Sequence, residues 1–229
     1  MSIGQSKLSV APHVEQNLPC LGHLKKLLDC KTLRVVPPQY IIFSQGESPH
    51  SVCLICKGMV KLTRTESNGT RAIIGLRRKG WLLGAAAVVP GLSYASTAET
   101  MVRSELCFIP VERFLHAMDT NATFAKWVAT ILGQGLYKST VDISKQSCLT
   151  GRMRLEKFLL DIFQEQSKLD LKNASILRIP LKQWEIAQLL GLSPEHLSRL
   201  IKQMEAEDVV ARKNDWLIYQ PPKKKAYLK

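Results

Sequence analysis

Pro110 divides this chain into two textures that cannot belong to one kind of layer. Before it, short β-rich runs follow one another: Leu33–Val36, Tyr40–Phe43, Ser51–Cys56, Met59–Thr65, Arg71–Leu76, Ala95–Thr100 and Glu105–Ile109. Turn chemistry separates them, at Pro37-Pro38, Gln45-Gly46, Lys57-Gly58, Asn68-Gly69, Lys79-Gly80 and Pro90-Gly91. Close-spaced short strands with Gly and Pro turns predict a β-barrel or sandwich over residues 31–118. Asn68-Gly69 between alternating runs is the clearest hairpin signal among them. After Pro110 the apolar period becomes helical, so the chain as a whole is α+β.

Val111–Met118 reads as a short helix, and Asn121 to Ser147 as a long one. In the long one Phe124, Trp127, Val128, Ile131 and Leu132 fall at i, i+3, i+4, i+7 and i+8, one continuous stripe. A long helix joining two domains has little of its own chain to pack on, which predicts a partner subunit. Gly133 and Gly135 fit two backbones in close approach. The expected homodimer interface is Phe124, Trp127, Val128, Ile131 and Gly135, with packing against the same chain's barrel as the alternative.

Residues 149–229 hold helices at Leu155–Gln166, Leu181–Leu190 and Ser193–Ala206. Val209–Ala211 and Trp216–Tyr219 then bracket a turn, as a strand–turn–strand wing, before the basic tail Pro221–Lys229. The segment Leu181–Glu205 is the most informative. One helix stops at Gly191, a residue suited to the left-handed position after a helix. The next starts with Ser193 as N-cap and Pro194 at its first position. Ala187 lets the two helices cross closely, so this is a tight helix–turn–helix.

Within the second of these helices Leu197, Leu200, Ile201 and Met204 form an apolar face, while Glu195, Ser198 and Arg199 share another. Those three suit base reading in a major groove: arginine donates a bidentate pair to guanine, glutamate accepts from the cytosine amino group, and serine serves either. His196 is placed to touch phosphate or base. Ser193, Lys182, Gln183 and Lys202 complete the candidate DNA-contacting set, the lysines on phosphate.

Charge agrees without locating the site. Thirty-two Lys+Arg against nineteen Asp+Glu give +13, which favours a polyanionic partner. Residues 1–149 hold 17 basic and 9 acidic side chains and residues 150–229 hold 15 and 10, so neither part monopolises the excess. No run of about 18 apolar residues is present, and Met1–Val10 lacks an apolar block of signal type, so a soluble cytoplasmic chain is expected. Six cysteines are then expected as reduced thiols. Cys53 and Cys56 lie three apart on a strand and point to opposite faces, a poor chelate. Cys148 near a hinge is a candidate oxidation sensor, and no metal site is expected. No nucleophile–base pair or P-loop is evident, which argues against an enzyme. The competing reading is a small-molecule or redox-sensing module whose helix–turn–helix makes protein contacts.

The order of β-barrel, long helix and winged helix–turn–helix resembles the CRP/FNR family of bacterial transcription regulators over essentially the whole chain. Lys57-Gly58-Met59-Val60-Lys61-Leu62 before a hairpin, Gly80 through Gly84 at the family's phosphate-binding turn, and Thr150-Gly151-Arg152 after the long helix carry the likeness. Glu195-x-x-Ser198-Arg199 is similar to the recognition motif of the FNR branch. The resemblance implies a cyclic-nucleotide-binding-like jelly roll, an N-terminal extension at 1–30, a barrel at 31–118, a dimerisation helix at 119–148 and a DNA-binding domain at 149–229. It implies a half-site TTGAT, repeated inverted across four base pairs, with Arg199 on its guanine and Glu195 on the opposite cytosine. RNA polymerase is an implied partner, met through surfaces such as Gln164–Asn173.

The effector pocket implied by the resemblance comprises Gly84, Ala85, Tyr94, Ala95, Ser96, Tyr137 and Lys138. The family's cyclic AMP site needs a Glu after the turn glycine and an Arg-Ser pair. Here Ala85, Tyr94 and Ala95 stand there, and Tyr137-Lys138 replaces the Thr-Ser that meets adenine, which argues against cyclic AMP. The iron–sulfur branch uses a close N-terminal cysteine cluster, which Cys20 and Cys30 do not supply. His13, His23, His50 and Cys53 leave haem open, and the effector stays unidentified, as does the choice between activator and repressor.

Overall fold

A computed structural model describes residues 33–169, 177–178, 181–213 and 216–219. The N-terminal extension 1–30, with Cys20 and Cys30, and the basic tail lie outside the described residues. The chain forms two compact units, Met1–Val60 with Arg77–Gln134, and Lys61–Leu76 with Gly135–Lys229.

Among the described residues, eight strands come before the long helices: β1 Leu33–Val36, β2 Ile41–Phe43, β3 Ser51–Lys57, β4 Met59–Thr65, β5 Arg71–Arg78, β6 Leu82–Leu83, β7 Thr97–Thr100 and β8 Ser104–Pro110. They make two four-stranded sheets, ordered β1-β8-β3-β6 and β2-β7-β4-β5. Of the barrel or sandwich that the sequence predicts, this is the sandwich form, a two-sheet jelly roll. The run Leu82–Leu83, too short to show a period, adds a strand that pattern reading leaves out. The turn joining β4 to β5 closes as Asn68-Gly69 predicts: Gly69 takes φ +81° and its N–H donates to the Glu66 carbonyl at 2.9 Å.

Along β3 six consecutive residues are buried, so both faces of the strand are covered. Cys53 and Cys56 are accordingly both buried free thiols, and burial pushes the Cys53 thiol far up, with Cys56 beside it adding to the effect. Such a thiol is inert. Cys148 is free and exposed. Cys107 departs from the expectation of reduced thiols: it is disulfide-bonded.

Helix α1, Val111–Thr120, follows β8, and Asn121 starts the next helix by accepting the Phe124 N–H on its Oδ1 at 2.9 Å. That helix, α2, runs Ala122–Cys148. Its stripe follows the alternative the sequence left open, packing within the same chain rather than on a partner. Phe124, Trp127, Val128 and Ile131 are buried in their own chain's core with Val52, Leu54, Ile109 and Phe114. Phe124 meets Phe114 edge-on, with ring centroids 5.6 Å apart. Leu132, the fifth residue of that stripe, is exposed.

In the second unit α3 spans Gly151–Leu169, α4 Gln183–Leu190 and α5 Pro194–Ala206. The strands β9 Leu177–Arg178, β10 Val210–Lys213 and β11 Trp216–Tyr219 form a sheet in the order β10-β11-β9. The expected wing thus has a third strand, because two residues between helices pair with β11 at Ile218↔Arg178 and Tyr219↔Leu177. Among the described residues no helix is long and apolar enough to cross a membrane.

Candidate nucleic-acid interface and ligand site

The helix–turn–helix closes through backbone chemistry that the residue types dictate. Gly191 adopts φ 60°, the left-handed cap of α4, and the Leu192 N–H returns to the Ala187 carbonyl at 2.9 Å. Ser193 then caps α5, its hydroxyl accepting the His196 N–H at 3.1 Å, with Pro194 at the first position. Leu197, Leu200, Ile201 and Met204 are buried beneath α5, which turns Glu195 and Arg199 outward and leaves Ser198 half-buried between them. The three side chains expected to read bases therefore share one accessible face.

Glu195 is ionised on that face. Its own backbone N–H and then the Ser193 hydroxyl hold the carboxyl below the usual carboxylate range, and the Arg199 charge adds to the effect. Lys182 and Lys202 are exposed and Gln183 half-buried. His196 is exposed on α5. Its ring lies against the start of α3, where a Cβ added to Gly151 would come within 3.1 Å of His196 Cε1 and 2.9 Å of Leu192 Cδ2.

Several positioning residues carry no sequence signal. Glu185 in α4 is only 5% exposed. Its carboxylate takes the Lys182 N–H at 2.9 Å and Lys61 Nζ at 3.1 Å. Gln188, one turn later, accepts the Ile73 N–H at 3.3 Å and donates to the Arg71 carbonyl at 3.2 Å, acting as an extra partner for the edge strand β5. Lys61, Arg71 and Ile73 lie over a hundred residues away in sequence, so no local pattern announces these bonds.

The residues expected around an effector are of two kinds. Gly84 sits at φ 77° ahead of the 3-10 turn Ala85–Val88, and Ala85, Tyr94 and Ser96 are buried while Ala95 is exposed. Tyr137 and Lys138 belong to the other compact unit and are exposed. Tyr94, 1% exposed, fills the space beside the turn. Its ring stacks on Phe43 at 4.0 Å, and a Cβ on Gly84 would lie 2.8 Å from its Cε1. Its hydroxyl donates to the Ser51 carbonyl at 2.6 Å and accepts the N–H groups of Ser51 at 3.1 Å and His50 at 3.2 Å. A cyclic phosphate does not fit this set. No cation faces it from positions 85, 94 or 95, and the space is taken by a phenol. Among the described residues no group of three or more His, Cys, Asp or Glu side chains is arranged to hold a metal ion.

A two-sheet jelly roll followed by a long helix and a winged helix–turn–helix defines a transcription regulator with a separate β domain. Residues 33–121 match the cyclic nucleotide-binding domain family and residues 153–223 the Crp-like helix-turn-helix domain family. The chain belongs to the CRP/FNR family of transcription regulators. It is 23% identical to the cAMP-activated global transcriptional regulator Vfr of Pseudomonas aeruginosa over 205 residues, 87% of this chain and 94% of that one. It is 25% identical to the transcriptional activatory protein AadR of Rhodopseudomonas palustris over 191 residues, 82% and 77% of the two chains. Among solved structures, FixK2 from Bradyrhizobium japonicum shares the fold with a TM-score of 0.69 at 19% identity, covering 82% of this chain and 91% of that chain. The c-di-GMP responsive regulator CLP of Xanthomonas campestris gives 0.69 at 19% identity, over 87% and 99%.

Proposed function

We propose that this regulator works in the cytoplasm as a homodimer that reads an inverted repeat of TTGAT half-sites separated by four base pairs. The observation that carries this reading is the outward face of α5, where Glu195, Ser198 and Arg199 stand over a fully buried apolar underside. Arg199 pairs with guanine O6 and N7, Glu195 accepts from the cytosine amino group, and Ser198 serves the neighbouring base. Lys182 and Lys202 meet phosphate and set register without reading sequence. The helix–turn–helix contacts DNA rather than protein, RNA polymerase is met at the promoter by analogy with the family, and the chain catalyses nothing.

The dimer seam we assign to the exposed flank of α2 that starts at Leu132, the outer edge of the stripe, rather than to the buried residues of that stripe. Leu132, Leu136 and Ile143 are exposed, the last two at 71% and 68%. Together with Ser139 they recur at intervals of four, three and four residues, the a/d spacing of a two-stranded coiled coil. Such a seam spaces two recognition helices for successive major grooves, one helical turn of DNA apart.

Fluorescence anisotropy with a labelled TTGAT–four base pairs–ATCAA duplex tests this, beside a scrambled duplex, at about 150 mM salt where non-specific binding is weak. Selective binding is expected, with affinity falling steeply as salt rises. Equal binding to both duplexes would rule the half-site out.

A further inference from the structure

We propose that Tyr94 is a resident occupant of the β domain's ligand site, a tethered phenol that stands where a diffusible effector would bind. This rests on the reading of residues 84–96 as the family's ligand-holding segment. Four observations converge on it. The ring is sealed from solvent, stacked on Phe43 at an interplanar angle of 11° with the His50 ring edge-on at 5.8 Å. Gly84, held at positive φ, is the residue whose missing Cβ admits the ring. The hydroxyl uses one donor and two acceptor positions on the backbone of Ser51 and His50, a complete set for a phenol. The backbone of Tyr94 is tied as well, its N–H to the Glu47 carbonyl at 3.0 Å and its carbonyl to the Gly46 N–H at 2.8 Å.

The ring therefore joins three pieces of chain distant in sequence: the end of β2, the loop leading into β3, and the segment after Gly84. A bound ligand in such a site does the same work, ordering loops that have no other reason to meet. Here the order is covalently built in, and its entropy is settled on folding rather than on binding. It follows that the β domain holds its DNA-competent state without a small molecule at this site.

The test uses full-length protein and two probes, cyclic AMP and 4-methylphenol, the latter being the tyrosine side chain cut loose. Cyclic AMP is expected to leave both the melting temperature and the duplex affinity of the parent protein unchanged; a rise in either overturns the proposal. Tyr94→Ala opens a pocket of phenol size, walled by the Phe43 ring and ending on the Ser51 carbonyl and the Ser51 and His50 N–H groups, so that 4-methylphenol restores both the ring contact and the three hydrogen bonds. Its melting temperature is expected to fall and to recover with added 4-methylphenol, which does nothing to the parent. Its duplex affinity is expected to drop about tenfold and to return to within about threefold when the phenol is added.

Tyr94→Phe keeps the ring and is expected to fold, to stay within about threefold of parent affinity, and to ignore 4-methylphenol. This variant decides the matter if Tyr94→Ala does not fold: uptake of 4-methylphenol or cyclic AMP by Tyr94→Phe would show that the ring is not the occupant. The melting measurements need no DNA, so an error in the half-site leaves them intact. A Tyr94→Ala protein that recovers its melting temperature with phenol but binds duplex like the parent throughout would overturn the assignment of control to this site.

Discussion

The guanidinium of Arg152, in the first turn of α3, forks onto the carboxylate of Glu207, the residue that caps α5, with Nη1 and Oε1 2.7 Å apart. Its Nη2 donates to the second carboxylate oxygen and its Nε to Glu156 at 2.9 Å. One arginine beside the end of the long helix thereby holds the far end of the recognition helix. With His196 and Leu192 packed over Gly151 at the other end, α5 is fixed to α3 at both of its termini.

This pair titrates. Hydrogen bonding from Arg152, and to a lesser degree its charge, hold the Glu207 carboxyl below the usual carboxylate range. A group lowered in the folded state contributes stability above its unfolded value, about 4.3, and loses it as pH falls through the lowered value. Melting curves of parent and Glu207→Gln proteins are therefore expected to differ at neutral pH and to converge in acid. A difference that persists unchanged well below pH 4.3 would mean the pair is not responsible.

At the recognition face the test is one of kind rather than size. Arg199→Ala is expected to weaken binding to the specific duplex by about tenfold to a hundredfold and to relax preference at the guanine position. Lys182→Ala and Lys202→Ala are expected to weaken specific and random duplexes alike and to flatten the salt dependence by about one unit of slope each. Arg199→Ala losing equally on both duplexes would remove it from base reading.

The two sides of α2 are separable by mutation. Leu136→Asp is expected to leave each folded protomer intact and to shift the mass in light scattering from dimer to monomer. Trp127→Ala, inside the chain's own core, is expected to destabilise by about 3–5 kcal/mol without any special effect on assembly. A monomeric Trp127→Ala that keeps its melting temperature would restore the stripe to the interface.

Glycines at positive φ rank by what surrounds them. Gly84→Ala forces a Cβ to 2.8 Å from the fixed Tyr94 ring and 3.3 Å from the Ser51 carbonyl. Gly69→Ala, at a similar φ, meets nothing within 4 Å. Denaturant unfolding is expected to show about 1–2 kcal/mol lost at Gly69, the left-handed penalty alone, and about 1–3 kcal/mol more at Gly84. Equal losses would mean that the Tyr94 ring yields.

What the sequence determined by itself was whatever local chemistry specifies. The αL cap at Gly191, the Ser193-Pro194 start, the apolar face Leu197, Leu200, Ile201 and Met204, and the Asn68-Gly69 turn all follow from residue type and spacing, because each is made by neighbours in the chain. Periodicity also announced that Phe124, Trp127, Val128 and Ile131 form a buried stripe, but burial does not name its partner. Only the tertiary structure assigned that stripe to the chain's own core and left Leu132, Leu136 and Ile143 facing outward. In the same way Tyr94 read as a missing phosphate ligand, whereas the fold buries it against Phe43, Ser51 and Gly84. The physical reason is common to both: a hydrophobic pattern fixes which face must leave water, and the long-range packing of other segments decides what covers it.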